Sequence, residues 1–333
     1  MNLIWYFYFF KNTSSMKTQF IKFFKVVIIF SFLGCKSEAQ TKVSIDKEFV
    51  KRVETELASD KMEGREIFST GIEKASKFIE SEFQKIGLSY YKKLKNFRQE
   101  FKTDEKPTNN VIGVLKGKSK PNEYVIFSSH YDHLGMTTEG DDKIYNGAND
   151  DASGTTAVIA LANYFKKLNN NERTLIFVCF TGEETGGYGS AFFTKSINPE
   201  QTIAMFNIEM IGTESKWGKN SGYITGYEKS NFGEILQQNL KGTNFIFHPD
   251  PYPTEQLFYR SDNARLAAVG VPAHTISTSK MDSEPNYHKL SDEVSTLDLD
   301  NMTEFIKSIA LSSQSIISGK DTPSRVEKLK ERN

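Results

Sequence analysis

The sequence predicts the α/β class: a three-layer α/β/α domain built on a central, mostly parallel mixed sheet. Short apolar runs rich in Val, Ile, Phe and Tyr alternate along the chain with longer segments whose apolar residues recur at helical spacing. Strands alternating with helices in this way give a largely parallel sheet covered on both faces, and such strands read as continuous apolar runs. His130, Glu183, Glu184 and Glu209 all follow such runs directly. That is where open sheets of this kind bind their ligands.

The elements follow in order. DKEFVKRVETELAS (46–59) reads as a helix and GIEKASKFIESEFQKIG (71–87) as a second. Thr70 and Glu73 have the spacing of a capping box, and Gly87 suits a helix stop. NNVIGVLKG (109–117) and EYVIFSSHYD (123–132) are strand runs, SGTTAVIALANYFKKL (153–168) is helical, and TLIFVCF (174–180) is a strand apolar throughout. A short helix near GSAFFTKSI leads to the strand TIAMFNIEM (202–210). Later come a helix near FGEILQQNL, a strand AHTISTS after Pro272, and a final helix over 299–315. The charged tail after Asp321 is expected to fray. The segment from Gly212 to Arg260 is the least legible.

Lys plus Arg and Asp plus Glu balance at 42 each in 333 residues, and no basic stripe suggests a nucleic-acid partner. From Met16 the stretch MKTQFIKFFK supplies positive charge, and Val26 to Gly34 supplies nine uncharged residues, well short of the roughly 20 that span a bilayer. This is an export signal. It ends in FLGC, which resembles a bacterial lipobox with Cys35 lipid-modified. The expected organisation is an N-terminal extension (1–15), a lipoprotein signal peptide (16–35), a short tether (36–49), one catalytic domain (50–318) and a charged tail (319–333). The protein would then be exported to a bacterial cell envelope and held to membrane through Cys35. The other cysteine, Cys179, reads as a buried strand residue.

Five residues of metal-ligand type stand out: His130 in SSHYDHLG, Asp150 in NGANDDASG, Glu184 in FTGEETGG, Glu209 in FNIEMIG and His288 in PNYHKLSDE. Each alone is weak evidence. A strand-end histidine is more often structural, a Gly-, Asn- and Asp-rich loop is often only a turn, and a Glu-Glu pair is commonly a solvated one. Together, two imidazoles and three carboxylates make a donor set suited to zinc, and one shared carboxylate can bridge two ions. Asp132, two residues beyond His130, is expected to orient an imidazole. Glu183 and Glu184 are adjacent and cannot point the same way, so one can ligate while the other faces a bound water. His133, His248 and His274 read as structural or surface residues.

In identity and order the five segments closely resemble the di-zinc exopeptidases of peptidase family M28, which includes bacterial aminopeptidases and, as a divergent branch, glutaminyl cyclase. The resemblance covers roughly residues 50 to 315, starting with LASDKMEGRE at 57–66. It implies a metal-dependent aminopeptidase acting on peptides with a free N-terminus. It further implies two zinc ions bridged by Asp150, with His130 and Glu209 on one and Glu184 and His288 on the other. Glu183 would be the general base, Tyr287 an oxyanion donor, and Asp151 a structural residue joined to Asp150 by a cis peptide. Glu209 departs from the family, which has aspartate there, and leaves the first ion less tightly held. That departure keeps a single-zinc cyclase in play, using Asp150, Glu184 and His288. The third reading is an inactive binding lipoprotein. Asn263, where the family often has histidine, receives no role.

Overall fold

A computed structural model describes residues 43–329; the expected export signal and Cys35 lie outside the described residues. Two helices come first, α1 (Lys47–Leu57) and α2 (Thr70–Ile86). Strands β1 (Ser89–Tyr90), β2 (Arg98–Thr103), β3 (Lys106–Leu115) and β4 (Lys120–His130) follow. Then come α3 (Ser153–Leu168), β5 (Arg173–Phe180), α4 (Tyr188–Ser196) and β6 (Thr202–Ile208). The remainder comprises β7 (Ser221–Ile224), α5 (Phe232–Asn239), β8 (Ile246–Pro249), α6 (Asn263–Ala268), β9 (Ala273–Ser277), α7 (Leu299–Ser312) and α8 (Gln314–Ile317).

The described strands form one sheet in the order β1-β3-β5-β4-β6-β9-β7-β8, with β2 on β3. Its centre, β5-β4-β6-β9, is parallel, while β3 joins β5 and β7 joins β9 antiparallel. The sheet is therefore mixed with a parallel core, as the apolar runs predict. All eight residues of β5 are buried. Alternate residues serve opposite faces: Phe127, Phe177 and Phe206 join the layer that holds Phe165 of α3 and Ile306 of α7. Ile126, Ile176 and Met205 join the layer that holds Phe193 of α4 and Leu266 of α6. Phe127 stacks between Phe165, Phe177 and Phe206 with ring centroids at 5.5, 5.7 and 4.9 Å. Truncating such a residue costs about 3–5 kcal/mol.

Three sequence expectations change. The cap of α2 is Ser69, whose hydroxyl accepts from Ile72 N at 3.2 Å. Thr70 instead bonds Glu63, and Glu73 pairs with Arg98 at 2.8 Å, so no capping box forms. The final helix breaks at Ser313 into α7 and α8. The tail beyond Asp321 is docked through Leu329: Arg325 donates to Thr202 O at 2.8 Å, Val326 is buried, and Leu329 N donates to Ala268 O at 3.0 Å. Ser324, bonded to Asn231, and Lys328, paired with Glu200 at 3.1 Å, add to the docking. Cys179 is buried as expected, and burial pushes its thiol up to about 12.

Glu54 of α1 is fully buried and accepts from Thr156 Oγ1 at 2.7 Å, while its other oxygen has no partner among the described residues. Burial pushes its carboxyl up to about 8 from an ordinary 4.5. The folded chain thus keeps a proton that the unfolded chain releases above pH 4.5. This group's contribution is complete below that pH and is lost as pH rises through 8, by at most about 5 kcal/mol. Glu54→Gln should flatten the decline in urea-unfolding stability between about pH 5 and pH 8. An unchanged slope would mean that Glu54 is already ionised in the folded protein.

Candidate active site

The parallel centre of the sheet delivers three segments to one edge. His130 is the last residue of β4, Glu183 and Glu184 lie three and four residues past β5, and Glu209 follows β6 directly. Asp150 comes from the turn before α3, and its peptide bond to Asp151 is cis, as the resemblance implies. His288 comes from the loop between β9 and α7, in a left-handed conformation with φ 56°.

Four of the five candidate ligands converge. His130 Nε2 lies 3.2 Å from Asp150 Oδ1, and His288 Nε2 lies 3.2 Å from Asp150 Oδ2 and 3.1 Å from Glu184 Oε2. Ligand atoms of His130, Asp150 and Glu184 all fall within 4.8 Å of one another. Glu209 lines the same pocket, but its carboxylate is bonded to Ser261 Oγ and lies 3.4 Å from Asn207 Nδ2. The longer arm of glutamate, compared with aspartate, lets it reach that hydroxyl. Glu183 and Tyr287 line the pocket too, and the Tyr287 ring stacks on His288 at 3.9 Å.

The polar scaffold behind these groups is specific. Asp132 meets His130 through its backbone: His130 Nδ1 lies 3.1 Å from Asp132 O, against 3.8 Å from the carboxylate. The carboxylate accepts from Glu183 N at 3.2 Å and Glu184 N at 3.3 Å instead. Asp132 therefore orients the imidazole as expected but by its carbonyl, and fixes the Glu-Glu turn with its side chain. Asp151 is structural: it accepts from His130 N, Gly154 N and Met210 N at 3.3, 2.9 and 3.1 Å.

Two further residues brace the site: His133, read from the sequence as structural or surface, and Asp292, which the sequence reading did not single out. His133 is buried, and its Nδ1 lies 2.8 Å from Glu184 Oε1. Strand periodicity puts it opposite His130, but β4 ends at His130 and the rule lapses there. Asp292 accepts from Asn149 N at 2.8 Å and Asp150 N at 3.0 Å, tying the Asp150 turn to the His288 loop. Its position four residues past His288, in SDE, was the available signal. His274 and His248 are structural: His274 is buried against Thr225 O and Ser230, and burial pushes it down to about 4, while His248 stacks on Trp217.

Charge is crowded here. Burial opposes ionisation of Asp150, yet the facing His130 and His288 hold its carboxyl well below the usual range. The Asp150 and Glu184 carboxylates push His288 up to about 10. Burial, with the negative charges of Glu209, Asp262 and Glu184, holds Glu183 well above its ordinary value. Burial likewise raises Glu209, and raises Asp132 and Asp292 to about 6.

A metal fits this donor set. With Nδ1–H of His130 donating to a carbonyl, its Nε2 turns a lone pair on Asp150 Oδ1, and only a proton or a cation between them makes that contact favourable. His288 Nε2 sits between two carboxylates without an aligned hydrogen bond to either. Imidazole nitrogens and carboxylate oxygens at such separations suit zinc.

Residues 110–312 match the model of peptidase family M28. A protein of Trichophyton verrucosum described as a probable leucine aminopeptidase is 28% identical over 206 residues, covering 60% of this chain and 54% of that protein. The aminopeptidase YwaD of Bacillus subtilis is 25% identical over 172 residues, covering 50% and 32%. The chain thus spans about half the length of the first of these relatives and a third of the second. Among solved structures, the zinc aminopeptidase BSAP of Bacillus subtilis has the same fold, with a TM-score of 0.68 at 12% identity over 84% of this chain and 97% of that one. So has Porphyromonas gingivalis glutaminyl cyclase, with a TM-score of 0.63 at 11% identity over 82% and 99%. A family match across more than half of its length, on a fold shared with these structures, makes this chain a member of peptidase family M28.

Proposed function

We propose that the protein is a zinc-dependent aminopeptidase that removes N-terminal residues from peptides. One observation carries this reading: the two oxygens of Asp150 address different imidazoles, Oδ1 facing His130 and Oδ2 facing His288. Asp150 would be shared between two zinc ions, with His130 and Glu209 holding one and Glu184 and His288 the other. Zinc at those donors supplies a Lewis acid for the scissile carbonyl and brings the pKa of a water down to about 7.

The rest of the chemistry falls to this chain's own side chains. Glu183 takes the proton of the attacking water and passes it to the leaving amine, a task suited to a carboxyl held above its ordinary value. Burial and the nearby carboxylates keep the Tyr287 hydroxyl protonated, so it donates to the oxyanion that develops on the substrate. Four carboxylates line the pocket, Asp150, Glu183, Glu184 and Glu209, against the single cation Arg260. Zinc held there would offset that negative charge and leave Glu183 as the carboxylate free to face the substrate. Lipid attachment through Cys35 in a cell envelope is part of the same proposal and rests on FLGC after the apolar run.

A second reading, glutaminyl cyclisation with one zinc on Asp150, Glu184 and His288, is favoured by the bonding of Glu209 to Ser261. Zinc stoichiometry, read beside parallel assays of leucyl-anilide cleavage and N-terminal glutamine cyclisation, separates the two. Cyclisation without cleavage overturns the aminopeptidase, and neither activity at any zinc level leaves a binding protein.

Two variants test the roles. Glu183→Gln should retain zinc and lower kcat by about 10²–10⁴-fold, and near-normal turnover would remove Glu183 from the proton transfer. His133→Phe should weaken zinc about 10–100-fold in a chelator competition, because the carboxylate of Glu184 loses the partner that holds it. Unchanged affinity would make His133 a bystander.

A further inference from the structure

Beyond Glu183 lies a second cleft, lined by Glu183, Gly187, Ser190, Arg260, Ser261 and Arg265 among others. It shares Glu183, Arg260 and Ser261 with the catalytic pocket, so the two are neighbours across Glu183. We infer that this cleft takes the C-terminal carboxylate of a short peptide through Arg260 and Arg265, which makes dipeptides and tripeptides the preferred substrate class. The inference rests on the aminopeptidase reading above. There, Glu183 hands its proton to the leaving amine, so the leaving residue passes it on the side away from the acidic pocket.

The charge pattern supports this assignment. The cleft carries two guanidinium groups to one carboxylate, Glu183, and none of the carboxylates that would hold zinc. Arg265 is exposed and donates to Gly186 O at 2.7 Å. Among the described residues it has no carboxylate partner. Gly186 and Gly187, both at positive φ, flank it without side chains; a Cβ built on Gly187 would come within 3.5 Å of the guanidinium. Arg260 pairs with Glu255 at 3.0 Å, but both side chains are close to half exposed, at 47% and 40%. A pair so exposed contributes little and exchanges readily for a bound carboxylate. Guanidinium groups recognise carboxylates through paired, charge-assisted hydrogen bonds.

Reach also fits. One residue spans at most about 3.6 Å, so in a dipeptide or tripeptide the terminal carboxylate stays close to the scissile bond. In longer peptides it is carried out of the cleft, and only neutral backbone faces the arginines. The apolar wall of the catalytic pocket, with Tyr223, Leu257 and Met281, makes leucyl substrates a suitable probe.

The test compares kcat/KM for Leu-Ala with that for Leu-Ala amide in the zinc-loaded enzyme, with leucyl anilide as a substrate that has no carboxylate. The free acid should be preferred by about tenfold, and the ratio should fall toward one in Arg260→Gln/Arg265→Gln. A ratio cancels any general loss of activity. Thermal unfolding checks that the double variant is folded, and each single variant, expected to lose part of the preference, gives a second reading if it is not. Equal rates for acid and amide while the anilide is cleaved would overturn the inference and leave the aminopeptidase standing. A preference that survives in the double variant would also overturn it, since the carboxylate would then be recognised elsewhere. No turnover of any of the three would bring down both readings.

Discussion

The buried carboxylate of Asp151 holds the site together. It accepts backbone N–H groups from the end of β4, the start of α3 and the residue after Glu209, at His130, Gly154 and Met210. Burying a carboxylate is costly, and three donors offset that cost. The result is that two strand ends and a helix start share one anchor. Gly154 shows how tightly they are drawn in: a Cβ there would sit 2.1 Å from Ile208 O. Any other residue would push α3 away from β6, and with it Asp150 away from His130.

A cation works behind this anchor. Arg65 is buried and donates to four carbonyls, those of Leu57, Tyr131, Asn146 and Gly147, at 2.6–3.0 Å. It thereby joins the end of α1, the residue after His130 and the approach to Asp150. It forms no ion pair with a carboxylate among the described residues, so its charge is not neutralised by one partner. It acts through space on Glu54, Asp292, Asp150 and Asp132 together. Two of those, Asp132 and Asp292, hold backbone amides of the site in their turn.

The sheet and the candidate ligands were legible because they rest on period and position. The apolar runs gave β4, β5 and β6 their two-sided burial, and strand ends located His130, Glu183, Glu184 and Glu209. Where the chain leaves a strand, those rules stop. His133, read as structural or surface, is structural: the turn after His130 buries its ring against Glu184. Asp132 was expected to meet the imidazole with its carboxylate, but its carbonyl lies nearer, because residue type does not say which of the two faces the ring. The capping box failed through competition: Glu63, distant from any helix pattern, drew Thr70 away. Arg260 and Arg265 lie in RSDNARLAAVGVP, a phrase that resembles a substrate-proximal segment of the family, but a cleft between loops has no period from which a role could be read.

The two halves of the ligand cage are built differently, and that difference bears on how the site forms. His130 and Asp150 are buried, and their backbone amides are bonded to Asp151 and Asp292, so they are set by folding alone. His288 is 36% exposed and stands on a loop, with its ring backed by Tyr287. That loop is tied to the interior through Asp292, which bonds the amides beside Asp150 rather than His288 itself. The inner half is thus set by buried hydrogen bonds, while the His288 ring of the outer half is more exposed and rests on Tyr287. Because Asp292 belongs to the outer loop and grips the inner turn, ordering one half orders the other. The carboxylate of Asp150, which faces His130 with one oxygen and His288 with the other, sits at that junction.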